Sequence, residues 1–384
     1  MQNPKYDISM LIVAWPCVHS GGAERWWYYV IRELVSVKGL KVVVVIPTNL
    51  RRGCFICPAN LGRYNNIIVK YVALNGLYNF ARTILELLSV IKRSEVDYVV
   101  SGYQTPSIVL LSLVLSAFTG RKCSVMFHNS FGWLPFINNI GSLSTVNKLL
   151  VKLYNIINKI CRFIYVSPAI KYEHERIGLN ARNINSLMGA AVEFTDLPPY
   201  RDIHERDIDI IHLASISKFK GIYDLIEILH IIRDYKHDFN AVIIGRTSKE
   251  VENEIKTLIE KYKLKDNVRF LGFVDGYVKF DLLSRSKVMI YPSYSDTFAI
   301  SVLESLSVGT PVIAYSIPAI SMNYRTNAVI KVRTGDWNAM AKAAVELLND
   351  PEKISTLSHE AIKFAKRYSW HKIAIQFLKG AIEQ

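Results

Sequence analysis

Short β-branched runs alternate with amphipathic stretches along most of this chain, and the alternation runs through twice. ISMLIVAW (Ile8–Trp15) and KVVVVIP (Lys41–Pro47) read as strands. The second is buried on both faces, because its β-branched residues are continuous. Helices are expected over Glu24–Val37, Tyr78–Arg93 and Ser107–Phe118, with strands in NIIVKYVAL, DYVVSG and KCSVMFHN. The pattern breaks at LPPYRDIHERDID (Leu197–Asp209), whose prolines and clustered charges read as a linker. It restarts with strands in DIIHLASI, NAVIIGR, VRFLGFV, KVMIYPS, VIAYS and AVIKV. Helices are expected over Ile222–Arg233, Lys249–Tyr262, Tyr277–Arg285, Trp337–Asn349 and Pro351–Tyr368, with a last one starting near Ser369. Strand and helix in turn imply parallel βαβ units. At 384 residues the chain is longer than one hydrophobic core usually supports. The expected fold class is therefore α/β, with two Rossmann-like domains facing each other across a cleft, residues 1–195 and 196–368. Ligands of such open sheets bind beyond the carboxyl ends of the strands.

Charge is spread unevenly. Residues 1–195 hold 21 Lys+Arg against 9 Asp+Glu, a net of +12 out of the chain's +14. A basic first half suits an anionic partner: a lipid surface, a phosphorylated acceptor or, less favoured, nucleic acid. STVNKLLVKLYNIINKICRF (Ser144–Phe163) forms either a basic amphipathic helix at a membrane surface or a core helix, with Lys148, Lys152, Lys159 and Arg162 on its polar sectors. The longest apolar stretch, Ser107–Phe118, is too short to cross a hydrocarbon layer of about 30 Å as a helix, so a buried helix is expected. No cleavable leader is read at the start. Five sparse cysteines point to a reducing compartment. CFIC (Cys54–Cys57) is expected to be unconnected thiols or one local disulfide; a zinc site with Cys17 and His19 is disfavoured, because a second CxxC is absent.

Three loops carry candidate chemistry. SGGAER (Ser20–Arg25) follows the first strand and opens a helix. Gly21 and Gly22 let backbone approach an anion at the helix start, although the pattern is neither GxGxxG nor a P-loop. SISKFKG (Ser215–Gly221) places Lys218 and Lys220 between a strand and a helix, where a lysine meets phosphate as a mobile point charge. PSYSDTFAISVLESLSVGTPVIAY (Pro292–Tyr315) sets Asp296 in a loop and Glu304 about one turn inside the following helix. A carboxylate accepts two hydrogen bonds and suits a vicinal diol. The amides of Phe298, Ala299 and Ile300 are placed to hold a phosphate or a sugar hydroxyl.

GGAER, K-F-K-G, the acid–x7–acid pair Asp296/Glu304 and GTPVIA (Gly309–Ala314), in this order, resemble the retaining glycosyltransferases of family 4, which have the GT-B fold. The resemblance implies a nucleotide-diphosphate sugar as donor, no metal or other cofactor, and a glycan or lipid-linked acceptor. It also implies a role for each residue. Gly21 and Gly22 would lie beside the diphosphate, Lys220 would neutralise it, Asp296 would contact the donor sugar and Glu304 the ribose. Gly272, Phe273 and Val274 would border the base, and His128 would stand at the cleft edge near sugar and acceptor. Residues 369–384 would cross back to the first domain. Two positions depart from the family pattern. Asp296 stands where glutamate is usual, and Ser215 where an arginine often precedes the KG lysine, with Lys218 as a nearby substitute charge. The setting implied is cytoplasmic, peripheral on the inner face of a membrane. A nucleotide-sugar epimerase of the same fold, a nucleic-acid-modifying glycosyltransferase and a non-catalytic sugar- or partner-binding module are the competing readings.

Overall fold

The computed structural model describes residues 7–17, 22–48, 56–129, 145–179, 184–186, 189–193 and 197–382. The chain divides into two compact units, Met1–Ala190 with Trp370–Gln384, and Ala191–Ser369.

Among the described residues, the first unit is built on a sheet of seven strands: β1 (Ile8–Val13), β2 (Leu40–Pro47), β3 (Ile67–Val72), β4 (Tyr98–Ser101), β5 (Lys122–Phe127), β6 (Cys161–Tyr165) and β7 (Ile184–Ser186). They lie in the order β3-β2-β1-β4-β5-β6-β7 and every pairing is parallel. The connecting helices are α1 (Gly22–Leu34), α2 (Ile56–Leu61), α3 (Gly76–Arg93), α4 (Pro106–Thr119), α5 (Thr145–Ile157) and α6 (Pro168–Arg176). The continuous valines of β2 are buried from Val42 to Val45, as a strand covered on both faces requires. Each buried Val or Ile contributes about 1.5–3 kcal/mol relative to exposure.

Among its described residues the second unit has six parallel strands: β8 (Ile208–Leu213), β9 (Ala241–Ile244), β10 (Val268–Gly272), β11 (Ser286–Tyr291), β12 (Val312–Tyr315) and β13 (Val329–Val332). Their order is β10-β9-β8-β11-β12-β13. The helices are α7 (Ile222–Tyr235), α8 (Lys249–Lys261), α9 (Gly276–Ser284), α10 (Ile300–Ser307), α11 (Pro318–Asn323), α12 (Trp337–Leu348) and α13 (Pro351–Ala365). In each sheet the order reverses beside the first strand, between β1 and β4 and between β8 and β11. Crossovers then leave to opposite faces, and a crevice opens at the carboxyl ends.

The last helix, α14 (Trp370–Ile382), belongs to the first unit. Trp370 stacks on Tyr29 of α1 at 4.8 Å, and Phe377 meets the rings of Trp26 and Trp27 edge-on at 5.9 and 5.2 Å. Arg162 on β6 donates from Nη1 to the Gly380 carbonyl at 3.1 Å.

Four expectations are corrected. The Ser144–Phe163 stretch is not one helix: α5 stops at Ile157 and Cys161–Tyr165 joins the sheet as β6, placing Arg162 on a strand. The helix at Pro106–Thr119 is not wholly buried, since Leu110 and Phe118 face outward. The Leu197–Asp209 passage is anchored to the second unit rather than a free linker. Asp202 and Glu205 form a capping box on a short 3-10 turn, Ile203–Glu205. The buried Arg206 guanidinium donates to the carbonyls of Arg201, Ser286 and Gly309. Finally, the sparse cysteines are not all unpaired. Cys123 and Cys161 are register partners on adjacent strands, their Cα atoms 4.6 Å apart, and they form a disulfide. Strand register places these two thiols together across 38 residues of chain, a pairing that their spacing does not announce. Cys54, and with it the CFIC expectation, lies outside the described residues, as does His19.

Candidate active site

The second unit gathers its candidate groups at the carboxyl edge of its sheet, around the reversal between β8 and β11. After β8 the chain passes Ser215, which is exposed, and makes a 3-10 turn at Lys218–Lys220 that ends on Gly221. Gly221 has φ +70°, and a Cβ there would sit 1.9 Å from the Pro292 carbonyl oxygen. Only glycine lets the lysine loop come this close to the loop after β11. A hydrogen bond from the Tyr294 amide to the Phe219 carbonyl, 3.0 Å, ties the two loops together. Gly221→Ala is therefore expected to cost at least about 2 kcal/mol, from the left-handed backbone together with the clash. Urea denaturation and a transfer assay check this; an alanine variant equal to wild type in both would contradict the packing described.

That close approach brings Lys220 to Asp296. The ammonium lies 2.6 Å from Asp296 Oδ2 and donates to the Ser295 carbonyl at 2.9 Å. Asp296 is filled on both oxygens. Oδ2 also accepts from the Tyr291 hydroxyl, and Oδ1 accepts from the amides of Thr297 (2.8 Å) and Ala299 (3.0 Å). Burial alone would raise the Asp296 pKa; the Lys220 charge and these hydrogen bonds outweigh it and hold the carboxyl below its usual value. In this structure Asp296 therefore fixes Lys220 and the turn into α10. The Ala299 amide, expected to face a ligand, is likewise committed to Asp296. Ala299 makes that turn with φ +61°, unusual for a residue other than glycine, and its carbonyl is held by the Tyr324 hydroxyl at 2.8 Å. The Phe298 ring is buried against Tyr324 and Tyr368. The helix starts at Ile300, and the amide of its third residue, Val302, donates back to the Ala299 carbonyl at 2.9 Å.

Glu304 lies in α10, four residues past Ile300 and so about 6 Å along the helix. Its Oε1 is 2.7 Å from Nζ of Lys279, which also reaches Asp275 Oδ1 at 3.1 Å. The Lys279 and Glu304 side chains are only 6% and 9% exposed. Sequence reasoning does not find Lys279. It sits on the short helix α9 with nothing to mark it as buried, and only the packing of α9 against α10 brings it to Glu304. Tyr291 and Asp224 are unmarked for the same reason. Asp224 on α7 accepts from the hydroxyls of Tyr294 (2.5 Å) and Tyr315 (2.6 Å), which steadies the loop that carries Asp296.

Gly272 closes β10 with φ +68°, Phe273 is exposed and Val274 half-buried. The Arg246 guanidinium, in the loop after β9, lies over the Phe273 ring at 3.9 Å. Lys218 is exposed, and neither Lys218 nor Ser215 is brought onto the Lys220–Asp296 pair.

In the first unit, Gly22 opens α1, whereas Gly21 lies outside the described residues. His128 follows β5 but does not stand at an exposed edge. Its ring is buried among Trp26, Trp27 and Tyr103, with centroids 5.1, 5.8 and 5.7 Å away. Burial lowers its pKa to about 3, so it is neutral at physiological pH. Its Nε2 has no hydrogen-bond partner among the described residues. The indoles around it are fixed by donation from Trp26 to the Gly189 carbonyl (2.7 Å) and from Trp27 to the Gly102 carbonyl (2.8 Å).

Comparison with known proteins fits this arrangement. The model for Glycosyltransferase Family 4 matches residues 20–186, and the model for Glycosyl transferases group 1 matches residues 195–367. The chain is 24% identical over 368 residues to the phosphatidylinositol N-acetylglucosaminyltransferase gpi3 subunit of Schizosaccharomyces pombe, spanning 92% of this chain and 76% of that relative. It is also 24% identical over 369 residues to a subunit of the phosphatidylinositol N-acetylglucosaminyltransferase of Homo sapiens, spanning 92% and 71%. Among solved structures, Anabaena Alr3699/HepE in complex with UDP and glucose superposes with a TM-score of 0.75 at 16% identity, covering 99% of this chain and all of that one. With both halves matched in sequence and the whole chain matched in fold, the protein belongs to the family 4 glycosyltransferases and has the GT-B fold.

Proposed function

We propose that this glycosyltransferase moves a sugar from a nucleotide-diphosphate sugar to an acceptor hydroxyl with retention of configuration. The observation that carries this reading is Lys220, an ammonium held by Asp296 and the Ser295 carbonyl beside the start of α10, at the carboxyl edge where the sheet order reverses. In the reaction, the bond from the anomeric carbon to the diphosphate oxygen breaks. The acceptor oxygen bonds to the same face of the sugar, and its proton passes to the leaving diphosphate. Negative charge grows on that diphosphate, and Lys220 with the amides of Ile300 and Ser301 at the start of α10 is placed to stabilise it. We propose that this suffices without a metal ion. Glu304, steadied by Lys279, takes the ribose hydroxyls, and the Gly272–Val274 segment with Arg246 borders the base.

The UDP complex of the Anabaena neighbour makes a UDP-sugar the first donor to test, and the two relatives make phosphatidylinositol the first acceptor. No described helix is long and apolar enough to cross a membrane. The proposed setting is peripheral, at an anionic membrane surface on the cytoplasmic side. The test incubates purified protein with a panel of UDP-sugars, with and without phosphatidylinositol, and reads nucleotide release and product anomeric configuration by NMR. Acceptor-dependent release of UDP and an α-linked product from an α-linked donor are expected. An epimerised sugar nucleotide formed without acceptor, or an inverted product, would refute the proposal.

A further inference from the structure

We infer that the outward face of α5 is a docking surface for an anionic lipid bilayer, bound in the interfacial plane rather than across it. This deepens the peripheral-membrane part of the function proposed above and rests on it. Leu149, Leu153, Ile156 and Ile160 are 68%, 46%, 57% and 65% exposed. Their i, i+4, i+7, i+11 spacing places them in one stripe, with Ile160 in the turn that continues the helix. The helix cannot roll to hide this stripe, because its opposite face is fixed. Val151, Tyr154 and Ile157 are buried there. The Tyr154 hydroxyl donates to the Gln104 carbonyl, and its ring meets Phe127 and Phe163.

Charge selects the occupant. Lys148, Lys152 and Lys159 each precede a stripe residue by one position, and all three are exposed. They form a row about 100° around the helix from the stripe. The stretch Ser144–Phe163 contains no Asp or Glu. An apolar ridge edged by lysines matches the acyl–headgroup boundary of a bilayer with anionic lipids: the ridge enters the boundary and the ammonium groups reach phosphates. On α3, by contrast, exposed Leu77, Tyr78 and Leu85 share their surface with Arg82 and Glu86, so no single sign of charge is offered there.

The experiment is sedimentation of the purified full-length chain with vesicles of phosphatidylcholine alone or mixed with phosphatidylserine. Binding to the mixed vesicles is expected, weakening steeply as salt is raised. Lys148→Glu/Lys152→Glu/Lys159→Glu should weaken it at least tenfold. Leu149→Ser/Leu153→Ser/Ile156→Ser should weaken it at low salt as well. Because all six side chains are exposed, circular dichroism and the thermal transition should match wild type, which separates lost docking from lost folding. Vesicle binding equal in both variants and wild type would overturn the inference. So would equal binding to both vesicle types, or a wild-type dimer in ultracentrifugation without lipid that the serine variant dissociates. Transfer to a short water-soluble inositol phosphate acceptor, assayed separately, tells failure of docking apart from failure of the catalytic reading.

Discussion

Lys220→Ala is expected to lower kcat/KM for sugar transfer by about a hundredfold or more, the scale seen when one preorganised group facing developing negative charge is removed. The fold should survive the change. Asp296 keeps the Tyr291 hydroxyl and the amides of Thr297 and Ala299, so its carboxylate is not stranded. A stability loss near 1 kcal/mol is expected, in line with a partly exposed ion pair. Lys220→Arg keeps the charge but not the compact single contact, and should recover only part of the rate. Steady-state kinetics and a UDP thermal-shift titration measure both variants. Alanine and wild type with equal kcat/KM would remove Lys220 from the mechanism, and with it the observation on which the proposed function stands.

The second large effect concerns the buried pair Lys279–Glu304. Replacing only Lys279, as Lys279→Met, leaves Glu304 buried without this partner and is expected to destabilise the second unit by about 3–5 kcal/mol. Replacing both, as Lys279→Met/Glu304→Leu, also removes the buried carboxylate and should restore most of that stability. Transfer should not return with it, because the group assigned to the ribose is gone. Urea denaturation of the two single variants and the double, beside transfer rates for each, forms a thermodynamic cycle. A double variant that is stable and still transfers sugar would assign Glu304 to folding alone. A double variant as unstable as the sum of the singles would show that the pair is not coupled.

These two experiments fall on residues of different legibility. Lys220, Asp296 and Glu304 can be picked out of the sequence, because a loop between a strand and a helix concentrates glycine, lysine and acid in a short span. Lys279 cannot. One lysine on a nine-residue helix looks like any solvated lysine until the packing of α9 on α10 removes its water. Asp296 combines both kinds of contact. Sequence-local groups, the Tyr291 hydroxyl and the amides of Thr297 and Ala299, meet its carboxylate, but only the approach of Gly221 to Pro292 brings Lys220 to it. His128 is recognisable by its neighbours in sequence, yet its burial depends on Trp26 and Trp27, far earlier in the chain.

The amino-acid sequence by itself determined the parallel α/β class, the loops that carry the charged groups and the basic bias of the first half. All of these are local: periodicity, turn residues and composition act within a few positions of one another. The tertiary structure decided the Cys123–Cys161 bond, the burial of Arg206 in a passage that reads as linker, the end of α5 at Ile157 and the partner of every buried charge described above. Each of those depends on which elements become neighbours, and that is set by the summed burial of whole sheets and helices rather than by any short stretch of chain.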